Sequence, residues 1–280
     1  MSEKSIVLLV HACDRYRFLY RGFERFFNVH WDKSAEVDLY FATEEASVQV
    51  NGFVNLKSGK GEWSDRLRKL LSEDISSEYV LYMQEDMWLS SPIDGKFING
   101  LAQFVRDFKP NLVKLNSAEN YTTTPTENFI SALRIAQLVN DKSQFLMSHQ
   151  PALWNRKFLI EQLGKGEHPW RNERRGTKRL RKLNPLIFHS DCFLENGYRP
   201  INANKPDAIY CKYYSVSVNG ILNDRVLNFI PYLESLDNAE DKNYAAELRR
   251  HYENGLTHDG LAKPRKQDVF NRIKRFFMSV

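Results

Sequence analysis

Between Ser5 and Leu115 the chain alternates short apolar runs with amphipathic stretches, and this rhythm restricts the fold more than any other feature of the sequence. Ser5 to His11 reads as a buried strand, and Phe18 to Val29 reads as a helix with Phe23, Phe26 and Phe27 on one face. Val37 to Ala42 and Phe53 to Leu56 predict two further strands. Trp63 to Leu71 follows as a helix, and Tyr79 to Met83 as a strand. A helix over Phe97 to Phe108 and a strand over Leu112 to Leu115 complete a β-α-β-β-α-β-α-β order. That order belongs to a mostly parallel sheet covered by helices, with ligands bound beyond the carboxyl ends of its strands.

Asn116 to Asn128 is polar and Thr-rich with a central proline, and predicts a loop bordering two halves, 1–116 and 129–237. Beyond it, Phe129 to Leu138 and Gln144 to Ser148 read as strands. Arg156 to Leu163 reads as a helix, Asn172 to Leu183 as a basic helix and Leu186 to His189 as a strand. A polar helical extension over 238–280 is expected after a main domain over 1–237, with a linker from Gly255 to Pro264 before the last helix. With 280 residues, 42% of them apolar, the chain can bury a full core without a disulfide or metal staple. Its three cysteines, Cys13, Cys192 and Cys211, are odd in number and form no C-x-x-C pair, which predicts a reducing, cytoplasmic setting. No apolar run approaches the length of about 18 residues that a membrane span needs.

The most informative local pattern is SSEYVLYMQEDMWLSSPID, where a buried strand runs into Gln84, Glu85 and Asp86. Carboxylates at the end of a buried strand are costly unless a cation or substrate uses them. Hard oxygen ligands of this kind suit Mg²⁺ or Mn²⁺, although an ordinary charged turn would also place them there. In EWSDRL, Ser64 could cap a helix and Asp65 lie in its first turn. In GKGEHPWRNERRG, Glu167 and Glu173 flank a Pro-Trp pair that opens a helix. The phosphate loops of P-loop and dinucleotide enzymes and the G-x-S-x-G elbow of hydrolases do not occur. The basic blocks, at Arg171 to Lys182 and Lys263 to Arg275, come with no nucleic-acid motif, so no nucleic-acid partner is expected.

Five segments in order, HACDRY, EWSDRLRKLL, the strand ending in QED, SHQPALWNRKFL and EHPWRNERRGT, span roughly residues 5 to 180. Together they resemble the nucleotide-sugar-dependent glycosyltransferases with the GT-A fold, in particular bacterial enzymes of lipopolysaccharide or capsule assembly. The acidic motif departs from the D-x-D pattern of that family, reading Gln84-Glu85-Asp86. The resemblance implies a GT-A-like α/β domain that moves a sugar from a nucleotide-diphosphate donor to a glycan or lipid-linked acceptor, with inversion. A divalent Mn²⁺ or Mg²⁺ would be held by Asp86 and Glu85, with His189, beside Asp191, as the third ligand. His11, Asp14 and Arg15 would line the base and ribose pocket, unless Asp14 simply ends the strand in a turn. Trp63, Asp65, Arg66, Gln84 and Glu85 would face the donor, and Trp170 would offer a flat face to a sugar ring.

In the same frame Glu173 is the preferred general base and Glu167 the alternative. Arg174, Arg175, Lys178 and Arg179 would either close over the phosphates or face water. Two other functions remain open on these residues: a non-catalytic nucleotide- or sugar-binding protein of the same fold, and a nucleotidyltransferase. The last segment, 264–280, has an apolar stripe of Val269, Phe270, Ile273, Phe276 and Phe277 flanked by bases. It predicts either peripheral attachment to the inner face of an anionic membrane or docking on the catalytic domain.

Overall fold

A computed structural model of the chain describes residues 5–116, 121–193 and 212–262. Two compact units result, Met1–Val216 and Ser217–Val280. The expected amphipathic helix over 264–280 lies outside the described residues.

The first unit is a mixed α/β structure whose central sheet has nine strands among the described residues, in the order β3-β2-β1-β4-β9-β6-β10-β8-β7. These are β1 (Ile6–His11), β2 (Asp38–Thr43), β3 (Val54–Lys57), β4 (Tyr79–Met83), β6 (Leu112–Asn116), β7 (Thr123–Ile130), β8 (Leu133–Leu138), β9 (Ala152–Asn155) and β10 (Ile187–Phe193). Only β9 and β8 run against the others, so the sheet is mostly parallel, as the opening alternation requires. β1 and β4 are buried at every position, which is why both read as unbroken apolar runs.

Helices α1 (Tyr20–His30), α2 (Trp63–Lys69), α3 (Gly95–Phe108), α4 (Arg156–Gln162) and α5 (Pro169–Leu183) flank the sheet. α1 buries Phe23, Phe26 and Phe27, and Phe23 and Phe27 cluster with Phe41 and Phe53 at centroid distances of 4.8 to 6.1 Å. Much of the chain's aromatic content is therefore core. α3 starts at Asp94, whose side chain accepts from Lys96 N, and α4 at Asn155, whose side chain accepts from Phe158 N. Pro169 opens α5, as the Pro-Trp pair suggests and three residues before the basic helix read from Asn172, and its missing N–H costs nothing there.

Several expectations need correction. The Asn116 to Asn128 segment is not wholly loop, since Thr123 onward forms edge strand β7, whose half-exposed positions account for its polar composition. The single strand expected over Phe129 to Leu138 is instead a hairpin turn into β8, with Ser131 in the left-handed region at φ 51°. Gln144 to Ser148 forms no strand, and β9 pairs between β4 and β6 just after it. A second small sheet, β5 (Met87–Leu89) with β11 (Tyr213–Ser215), is antiparallel and directly follows the acidic motif.

The second unit contains a hairpin of β12 (Ser217–Val218) and β13 (Ile221–Leu222), then α6 (Ile230–Ser235) and α7 (Ala239–Glu253). Asn238 caps α7 by accepting from Glu240 N, and Ser217 Oγ lies 2.7 Å from His258 Nε2 within the unit. No helix among the described residues is long and apolar enough to cross a membrane.

Candidate active site

The carboxyl ends of the adjacent strands β1 and β4 gather His11, Asp14, Arg66, Glu85 and Asp86. His11 ends β1 with its side chain buried, and neither ring nitrogen has a partner among the described residues. Burial, helped by Arg66 and His149, holds its imidazole well below the usual range, so the ring is neutral. One turn on, Cys13 N donates to Glu85 Oε1 at 3.3 Å, tying the β1 loop to the end of β4. Arg66, also buried, donates to Ala12 O at 3.1 Å and to Ser58 Oγ at 3.2 Å, with its Nε 3.6 Å from Glu44.

Asp14 does not present a free carboxylate to a ribose. Its two oxygens accept from the backbone N–H groups of Glu44, Glu45 and Ala46 at 2.9 to 3.0 Å, bracing the loop after β2. Burial works against the charge, but these three bonds outweigh it and keep the carboxyl below its usual range. Arg15 beside it is exposed.

Gln84 sits at the turn into β5, its carbonyl accepting from Met87 N. Glu85 is buried, and burial together with the Asp86 charge pushes its carboxyl up to about 8. Asp86 accepts from Ser215 Oγ at 2.7 Å, yet burial still pushes it up to about 6. β11 thus seats the acidic turn: Val216 N donates to Asp86 O, and Tyr213 OH donates to Gln150 Oε1 at 2.6 Å.

A ring cluster lies beside these acids. Trp63 Nε1 donates to Tyr82 OH, and the His149 ring packs 4.3 Å from Trp63 and 5.8 Å from Tyr82, with His11 6.0 Å from Trp63. Burial drives the His149 imidazole down to about 3 despite the facing Asn172 side chain. Trp63 and Arg66 therefore build the wall of the site from inside.

The two candidate bases differ sharply in their surroundings. Glu167 is buried, its carboxylate 2.7 Å from Asn172 Nδ2, 3.3 Å from Arg175 and 3.7 Å from Arg179. Burial raises its carboxyl, but these partners win and hold it below the usual range, the wrong direction for a base. Its backbone N–H donates to Ser64 Oγ, and both Asp65 oxygens accept from Gly166 N. Ser64 and Asp65 therefore clamp the 164–167 turn onto α2, in place of the cap and donor contacts expected of them.

Glu173 is half-buried on α5, and its Oε1 accepts from His149 N at 2.8 Å. The next residue, Gln150, accepts from Tyr213 OH, and Ser215, on the same strand as Tyr213, donates to Asp86, which links the Glu173 contact to the acidic turn through β11. Trp170 stands half exposed at the start of α5, edge-on to His168 at 5.5 Å.

His189 does not join the acids. Its Nε2 lies 2.8 Å from Asn116 O and 3.4 Å from Asp191, and no cluster of three or more potential metal ligands occurs among the described residues. Among the described residues, what the site offers a cation is the Glu85-Asp86 pair, a donor set that fits Mg²⁺ or Mn²⁺ completing its shell with water and substrate phosphate. Sequence reasoning missed His149, Gln150, Asn172, Tyr213 and Ser215, although His149 and Gln150 stand inside the SHQPALW segment. It also missed Lys114, fully buried in β6, whose Nζ donates to Leu146 O.

Neither a family model nor a curated protein sequence matches the chain. Among solved structures it is similar to residues 1–349 of S. aureus TarS, at 12% identity over 88% of this chain and 71% of that one, TM-score 0.45. The same TarS fragment in complex with UDP-GlcNAc aligns at 10% identity over 88% and 71%, TM-score 0.41. A CMP:2-keto-3-deoxy-manno-octonic acid synthetase complexed with CTP aligns at 14% identity over 68% of this chain and 89% of that one, TM-score 0.39.

Proposed function

We propose that this protein is a glycosyltransferase that moves a sugar from a nucleotide-diphosphate donor to a glycan or lipid-linked acceptor, at the carboxyl ends of β1 and β4. The observation that carries the reading is the acidic pair at the end of β4, Glu85 buried and Asp86 half-buried. Both carboxyls are raised by burial, Glu85 also by the Asp86 charge, and adjacent carboxylates in such a setting are tolerated where a ligand supplies the missing positive charge. Asp86, seated by Ser215, and Glu85 would hold a divalent ion, which would neutralise charge on the departing diphosphate. The loop from His11 to Arg15 and the buried Arg66 would border the nucleotide.

Glu173 is the base in this proposal. Its carboxylate takes the proton of the acceptor hydroxyl as that oxygen bonds to the anomeric carbon. The bond from that carbon to the phosphate oxygen breaks, and the nucleoside diphosphate leaves with the electron pair. Attack from the face opposite the leaving group inverts the anomeric centre. Glu167, bound into its arginine network, has no part in this step.

A panel of UDP, GDP, CMP and dTDP sugars incubated with the protein tests the reading through the product released. Slow release of nucleoside diphosphate, or of CMP from a CMP sugar, accelerated by acceptor, is the expected result. Release of nothing despite binding would indicate a non-catalytic binder. Pyrophosphate produced from a nucleoside triphosphate and a sugar phosphate would indicate a nucleotidyltransferase.

A further inference from the structure

The outward face of α5 carries charge of one sign. At about 3.6 residues per turn, Arg171, Arg174, Arg175, Lys178 and Lys182 fall on one side of the helix, opposite the buried Asn172, Gly176 and Leu180. All five bases are exposed. Arg175 reaches Glu167 at 3.3 Å, with its side chain still 64% exposed. Arg171, Arg174, Lys178 and Lys182 make no ion pair among the described residues. The single acid of the helix, Glu173, faces away from the stripe and is bonded to His149 N.

Such a face works against its own helix. Like charges three and four residues apart repel, and Arg171 and Arg174 stand near the N-terminus, where the helix dipole favours acids. An external anion relieves both. Charge is also segregated over the whole sequence: α5 holds seven bases and one acid, 263–280 holds six bases and one acid, and the chain's total is only +5, so everything else sums to −6.

The shape of the feature selects the partner. The stripe is the convex side of a single helix, a row of about 17 Å at about 1.5 Å per residue, and it is not a groove that would enclose a polymer. Trp170, 49% exposed, precedes the row at its N-terminal end and offers apolar contact beside it. We propose that α5 docks this protein, by its outward face, on the anionic headgroups of a lipid bilayer. This inference is independent of the glycosyltransferase reading, and it leaves the Glu173 side of the helix turned toward the site.

Sedimentation of the full chain with vesicles of phosphatidylglycerol and phosphatidylcholine in about equal parts, and with phosphatidylcholine alone, tests it. Binding should require phosphatidylglycerol and weaken at about 0.5 M salt. Arg171→Gln, Lys178→Gln and Lys182→Gln combined should lower partitioning by roughly a hundredfold, about fivefold per residue, with the thermal transition unchanged. If the triple variant does not fold, Arg171→Gln and Lys182→Gln singly should each lose about fivefold, while Arg171→Lys keeps binding. Partitioning unaffected by these substitutions, or equal on neutral vesicles, would overturn the proposal. Retention on heparin without vesicle binding would do so too, by assigning the stripe to a soluble polyanion.

Discussion

Glu85 and Asp86 are neighbours in sequence with different surroundings, because Glu85 is buried with one oxygen accepting from Cys13 N while Asp86 is half-buried and accepts from Ser215 Oγ. Asp86→Ala is therefore expected to abolish transfer while leaving the circular dichroism spectrum intact, with Glu85→Ala milder. Near wild-type turnover in Asp86→Ala would remove that residue from the diphosphate site. Glu85 also makes a prediction about pH. Its carboxyl stands at about 8 in the folded protein against an ordinary 4.5, so between those values the folded state binds more protons than the unfolded one. Stability is then lost as pH rises through that window. Denaturant titrations of the ligand-free protein should show stability falling from pH 6.5 to 8, above the ordinary titration of histidine, and Glu85→Gln should flatten the fall. Glu173→Gln should cut turnover by about 10²-fold or more with donor binding little changed, and Glu167→Gln should instead lower the melting temperature. Glu173 is favoured from sequence because the Pro-Trp pair, Pro169 and Trp170, leads to it in the family resemblance. The reason Glu167 is unsuitable was not legible, since it lies partly in Ser64, more than a hundred residues away, which fixes the Glu167 turn.

Strands β1 and β4 were readable because a strand covered on both faces needs an unbroken apolar run. β9 was not, because only Ala152, Leu153 and Trp154 are apolar there, and its place between β4 and β6 is a matter of topology. β7 reads as loop for the opposite reason: an edge strand half open to water can be threonine and proline. β5 and β11 escaped notice because each is three residues long, yet their pairing is what seats the acidic turn. Trp88 anchors β5, fully buried and stacked 5.6 Å from Phe26 of α1. The approach of α1 depends on Gly22, where an added Cβ would meet the Trp88 ring at 2.1 Å. Helix propensity alone would reward Gly22→Ala by about 1 kcal/mol. Overpacking against a rigid indole costs about 1–3 kcal/mol, and the clash is expected to win. Urea unfolding of Gly22→Ala should show a net loss of stability, and a gain would mean that α1 can shift away from Trp88 without cost.

On the scale of the whole molecule, the acidic turn at the end of β4 is where a charged donor would meet the protein in the proposed reaction. The acidic turn has no use for a nucleotide diphosphate by itself, since both are negative and their repulsion in a partly buried site is strong. A cation between them reverses the sign of that interaction. Nucleotide and metal should therefore bind with positive coupling, each raising the affinity of the other by the same factor. Thermal unfolding with UDP, GDP, CMP and dTDP, each with and without Mn²⁺, reads this directly. A ligand at about 100 times its dissociation constant stabilises the fold by about 2.7 kcal/mol, so one nucleotide should give a clear shift with Mn²⁺ and a much smaller one without. Asp86→Asn should remove the dependence on Mn²⁺ while leaving part of the nucleotide shift. If instead the shift is the same with and without the metal, and Asp86→Asn leaves it unchanged, the phosphates are neutralised by basic side chains and the acidic pair has another use.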